Sequence, residues 1–221
     1  MLPRRATRSA LALLFAASLC IAPLASEASP ASSALMLVEQ GKSREADGDE
    51  LTALKRYGDA LSLDGACEPA YLALGALRTK RGEASEAEEV YSQAIARVPA
   101  STDALVQRAH VRRLLAKLDL AADDVGHALL AIGATGTAQE IAALRELVAI
   151  KRAQHEPAAE LPGWRRLLAI ARGSGDASLA SEASVQTRAL GIFVGEVDPA
   201  LGGRSDEDPA RRSLASIARH L

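Results

Sequence analysis

From Glu68 to Pro99 the chain reads EPAYLALGALRTKRGEASEAEEVYSQAIARVP, with apolar residues recurring three and four positions apart in two successive runs. That spacing gathers the apolar side chains on one stripe of each run, so the segment predicts two amphipathic helices joined by a short turn. Moved along the chain by 34 residues, the pattern falls on itself. Ala53, Ala87 and Ala121 coincide, as do Tyr57, Tyr91 and Val125, and then Ala60, Ala94 and Ala128. The preceding helices keep the step through Leu37, Tyr71 and Leu105 and through Gly41, Gly75 and Ala109; the second helices close at Gly65, Pro99 and Gly133. A period of this length marks a stack of supersecondary units that bury their apolar sides against one another.

Small residues at Gly75, Ala87 and Ala94 let paired helices approach closely, and Tyr71 and Tyr91 fill the wedge that remains. The order Tyr71, Leu74-Gly75, Ala87, Tyr91, Ala94, Pro99 resembles the tetratricopeptide repeat family, with copies over residues 34–67, 68–101 and 102–135. The resemblance implies an all-α fold, a right-handed α-α superhelix of about three repeats followed by a degenerate helical extension. It also implies a concave groove lined by the first helix of each pair, and a protein or peptide partner bound there. Carried onto this chain, the groove has Val38, Leu72 and Val106 as an apolar floor, with Lys42, Lys80, His110 and Arg113 around it. Such a lining suits an extended or helical segment bearing apolar and acidic residues. Family members that clamp a chaperone's terminal carboxylate carry a Lys and Asn pair on the first helix of the first repeat. Here Val38 and Lys42 occupy those places, so the clamp is not supported.

One departure from the family is itself periodic. Arg44, Arg78 and Arg112 stand where a Tyr is usual. Either each aliphatic stem covers its hairpin while the guanidinium reaches water or a carboxylate of the neighbouring turn, or the three form a basic ladder for an anionic ligand.

Beyond residue 136 the period loosens. Ile141, Leu144, Leu147, Val148 and Ile150 predict a helix that stops before Pro157. Trp164, Leu167 and Gly175-Asp176 then keep the order of a repeat, with Ser184 and Thr187 in apolar places, which predicts a degenerate closing hairpin within 136–195. A linker rich in Gly, Pro and acidic residues leads to PARRSLASIARHL, an amphipathic segment read as a capping helix within 196–221.

The first residues change the setting rather than the fold. Arg4, Arg5 and Arg8 precede an apolar run from Ala10 to Ala22, then Pro23 and a small-residue exit, the pattern of a bacterial signal peptide spanning 1–28 with cleavage after Ala28. The run is about 13 residues long, short of the roughly 20 that span a bilayer, so no transmembrane span is expected in the mature chain. The expected location is periplasmic or secreted; a lipoprotein anchored through Cys20 is the alternative, weakened by Leu19 in the place of a small residue. Loss of residues 1–28 removes three arginines and Glu27 and moves the net charge from −2 to about −4, which gives no general attraction for nucleic acid. The 221-residue chain is 48% hydrophobic but only 3% aromatic, which favours close-packed helices built on small aliphatic residues. Cys67 is then the only thiol, expected as a small buried residue or an intermolecular link.

Chemistry is sparse. The GKS at 41–43 has Met36 where a phosphate-binding loop needs its first Gly. His110, His127, His155 and His220 are far apart, with no zinc-ligand spacing, and Asp123-Asp124 reads as a solvated face. No nucleophile motif occurs, and no catalytic residue, metal or cofactor is assigned. The leading expectation is a non-enzymatic protein-protein interaction scaffold in the bacterial envelope. A self-associating structural solenoid is the alternative, and a hydrolase with its site in 136–221 the third.

Overall fold

The computed structural model describes residues 29–195; the leader with Cys20 and the segment 196–221, including His220, lie outside the described residues. Nine helices and no strand occur among them: α1 (Pro30–Ala46), α2 (Glu50–Leu63), α3 (Glu68–Lys80), α4 (Ala84–Arg97), α5 (Thr102–Leu114), α6 (Leu118–Ile132), α7 (Ala138–Ala153), α8 (Pro157–Ser174) and α9 (Ala177–Phe193). Each packs on the next, and α1 also touches α3, α3 touches α5, and α5 touches α7. The first helices therefore occupy the inner arc of a curved stack, an all-α right-handed superhelix.

The turns inside the pairs repeat one backbone device. After α1, α3, α5 and α7 the chain passes through a left-handed residue, Gly48 (φ 82°), Gly82 (φ 78°), Ala116 (φ 57°) and His155 (φ 58°). Its N–H returns to the carbonyl three residues back, and the next N–H to the carbonyl five back, as in Gly48 N to Glu45 O (3.0 Å) and Asp49 N to Arg44 O (2.8 Å). This closure satisfies the last carbonyls of one helix and aims the chain antiparallel into the next. Side chains of Ser29, Asp49, Ser101, Thr137 and Asp176 cap the starts of α1, α2, α5, α7 and α9.

Packing within the first two pairs is a ring over a glycine. A Cβ on Gly41 would stand 2.4 Å from Tyr57 Cε1, and one on Gly75 2.4 Å from Tyr91 Cζ, so only glycine admits the rings. Both tyrosines are fully buried. In the third pair the ring gives way to Val125 and the glycine to Ala109, a smaller knob over a shallower hole, and both are again fully buried.

The fourth pair keeps this logic at a step of 39 instead of 34 residues from the third. His155 then falls on Ala116, Trp164 on Val125 and Leu167 on Ala128, the extra length being taken up by the 133–137 loop and a longer α7. Val148 falls on Ala109, and the small partner has crossed to α8, where a Cβ on Gly163 would meet Val148 Cγ2 at 2.8 Å. Helix α8 serves a second partner as well. Gly175 (φ 75°) closes it as Gly82 closes α3, with Asp176 N bonded to Ala171 O at 3.0 Å, and α9 packs back against it around Leu167, Leu179 and Ala183.

Two expectations change and one stands. Val38 and Val106 face the packed interior, where the neighbouring helices leave them 1% and 8% exposed. Asp124 is buried rather than solvated, because Arg108 and Arg112 of α5 hold it. Cys67 is the small buried residue expected, a free thiol just before α3, and burial pushes its pKa up.

Candidate functional site

The surface to consider is the solvent side of the first helices. On α3 the exposed positions away from the buried Ala70, Tyr71 and Leu77 include the small residues Pro69 and Ala76, with the half-buried Ala73 at their edge. The corresponding places on α1 carry Leu35, Glu39 and Lys42, and on α5 Gln107 and His110. Long side chains on either side of a helix bearing small ones leave a trough along α3.

Two ionic clusters bound it. On the α1 side, Lys80 Nζ lies 3.5 Å from Glu45 Oε1 and 3.3 Å from Glu50 Oε1. Tyr57 donates to Glu45 Oε2 at 3.1 Å, and Lys42 pairs with Glu39 at 2.7 Å. Hydrogen bonding to Glu50 holds the Lys80 pKa above its ordinary value. Burial, reinforced by the bond to Glu45, pushes Tyr57 up to about 12. On the α7 side, Glu146 receives Arg113 Nε at 2.6 Å and lies 3.2 Å from His110 Nδ1, which is itself 3.0 Å from Arg113 Nη2. Burial works to raise the Glu146 carboxyl, but the hydrogen bonds from His110 and Arg113 outweigh it, so it titrates below the usual range.

Of the predicted groove residues, Lys42 and Lys80 are exposed and Leu72, His110 and Arg113 half-buried at the surface, whereas Val38 and Val106 are buried. The basic members are already matched by carboxylates, so the groove is close to neutral rather than basic. Glu146 escaped the sequence reading because it lies 33 residues from Arg113 and 36 from His110, outside the common step.

The periodic arginines belong to the turns. Arg78 donates to Glu83, five residues on, at 3.1 Å, and Lys151 donates to Glu156 in the same geometry at 3.0 Å. Arg112 meets Lys117 at that place and turns instead to Glu88 (3.0 Å) and Asp124 (2.8 Å). Carboxylates thus answer the basic residues at these steps, and no ladder stands open for an anion at Arg78 or Arg112. Among the described residues no group of three or more His, Cys, Asp or Glu converges as metal ligands, and no helix is long and apolar enough to cross a membrane.

Comparison with family models gives no match, and comparison with curated proteins gives none. Solved structures do match. A tetratricopeptide repeat protein from Parabacteroides merdae shares 16% identity over 84% of this chain and 63% of its own, with a TM-score of 0.56. The nearly identical TPR-like repeats of a kinesin light chain from Podosopora anserina share 12% over 76% of this chain and 99% of theirs, at 0.51. The first TPR of Spaghetti bound to an HSP90 peptide shares 22% over 57% of this chain and 95% of its own, at 0.50. At these identities the likeness establishes the fold, a tetratricopeptide-type solenoid.

Proposed function

We propose that this chain is a non-enzymatic protein-interaction scaffold that holds a partner segment in the concave trough over α3, and that it acts outside the cytoplasm of a bacterium. The observation that carries the reading is the exposed floor of Pro69 and Ala76, edged by the half-buried Ala73, between two walls of longer, ion-paired side chains. A similarly folded domain, the first TPR of Spaghetti, is bound to an HSP90 peptide. The buried Val38 argues against the same carboxylate clamp here.

The neutral groove revises the partner chemistry. An acidic segment gains little where Lys42, Lys80 and Arg113 already face Glu39, Glu45, Glu50 and Glu146. An apolar segment that packs on Leu72, Ala73 and Ala76, with charges of both signs at its ends, fits better. Export is supported by the leader pattern, with the proposed cleavage at Ala28. The test is capture of partners by residues 29–221 in wild-type and Ala76→Arg forms. An arginine on the exposed floor leaves the fold intact and removes the captured partner; a partner retained by the variant overturns the groove reading in favour of the end faces and self-association.

A further inference from the structure

The outer side of α9 bears an apolar strip that no helix among the described residues covers. Val185 is 61% and Phe193 66% exposed, and Ala189, between them at helical spacing, is exposed too. These three lie four residues apart and so line one side of the helix. Strips of this kind inside the stack are covered by the next helix.

The backbone at the end of α9 repeats the device that precedes an antiparallel helix elsewhere. Val194 (φ −84°, ψ 4°) is succeeded by left-handed Gly195 (φ 76°), whose N–H returns to Ile192 O at 3.2 Å. The same sequence of conformations, Asp47 then Gly48 and Arg81 then Gly82, ends α1 and α3, and each time the chain folds back along the helix it has just left.

The C-terminal segment has a pattern that suits the strip. Ala210, Leu214, Ile217 and Leu221 recur at steps of four, three and four, which puts them on one side of a helix, with Arg211, Arg212 and Arg219 off that stripe. From Gly195 to Pro209 the chain can reach about 45 Å when extended, more than the roughly 25 Å length of α9, so the segment has slack to return. We infer that residues 209–221 fold back along α9 and cover Val185, Ala189 and Phe193, closing the end of the solenoid from within the same chain. The end face is then unavailable for stacking on a second copy.

Hydrogen exchange on residues 29–221, with the free 209–221 peptide as reference, tests this. In the wild type the amides of 209–221 exchange at least about tenfold more slowly than in the peptide, independently of protein concentration. Leu214→Asp with Ile217→Asp, and separately Val185→Asp with Phe193→Asp, return them to the peptide rate while α2 and α4 keep their protection. Peptide-like exchange in the wild type overturns the inference. So does protection that rises with concentration, which assigns the strip to a second copy, and so does protection that survives the α9 variant.

Discussion

The two halves of the stack share a fold and differ in what fills it. Pairs α1/α2 and α3/α4 are wedged by Tyr57 and Tyr91 over glycines, and their buried side chains are almost wholly apolar. From α5 onward the interior admits charge: Asp124, Glu140, Glu146 and Glu160 are all buried, and each is met by an arginine. Geometric fit thus runs through both halves, and the second adds buried paired charge to it. Because a solenoid is stabilised by neighbouring contacts, each half should answer mainly to its own kind of perturbation.

The largest effect is expected from Tyr91→Ala, which empties a fully buried ring site and costs about 3–5 kcal/mol by thermal or denaturant unfolding. Asp124→Ala comes next, at about 3 kcal/mol, because it leaves Arg108 and Arg112 without the carboxylate they surround. Here the halves separate. Replacing Asp124, Arg108 and Arg112 together by apolar residues of similar size should recover much of the Asp124→Ala loss, since no unpaired charge then remains, whereas Tyr91→Ala has no such rescue.

Titration separates them further, and the chain carries its own probes: all three tyrosines lie in the first half, the single Trp164 in the second. Hydrogen bonding to Arg166 holds Glu140 below the ordinary carboxylate pKa, and Glu146 is likewise lowered. A lowered folded pKa gives stability that is present above the unfolded value and lost as the pH falls through the folded one, so the second half should loosen below about pH 4.5. Trp164 fluorescence should change there before the tyrosine signal does. Burial pushes Tyr57 and Tyr91 up to about 12, from 10.0. A raised folded pKa gives stability that is complete below the unfolded value and lost between the two, so the first half should loosen from pH 10 towards 12, read by tyrosine absorbance. The smallest effects belong to the turns: Gly82→Ala should cost about 1–2 kcal/mol at its left-handed φ, while Ala116→Gly should change stability by less than about 1 kcal/mol.

What could be read in the sequence was what repeats. The 34-residue step located the ring-and-glycine pairs, because Gly41 with Tyr57 and Gly75 with Tyr91 place the same shapes at the same interval. The fourth pair escaped because its step is 39 and because its small partner, Gly163, sits on the opposite helix from Gly41 and Gly75. The buried ion pairs escaped for another reason: Arg108 and Asp124 stand 16 residues apart, like Gly75 and Tyr91, but the preceding copy has Leu74 and Val90 in their places, so no period marks the charges. Within the groove, helical spacing could not tell a first-helix side chain that faces solvent from one that faces the next helix. Val38 and Val106 are of the second kind, and Glu146, which neutralises Arg113, is supplied by a helix outside the three clear copies.

The place where a partner touches the solenoid is open to direct measurement. A photo-crosslinking residue placed at Ala76, on the trough floor, or at Leu130, 82% exposed on α6, would report it in cells that make the full chain. A protein adduct from Ala76 and none from Leu130 is the predicted result; an adduct from Leu130 alone, or from neither position, would contradict a partner held in the groove.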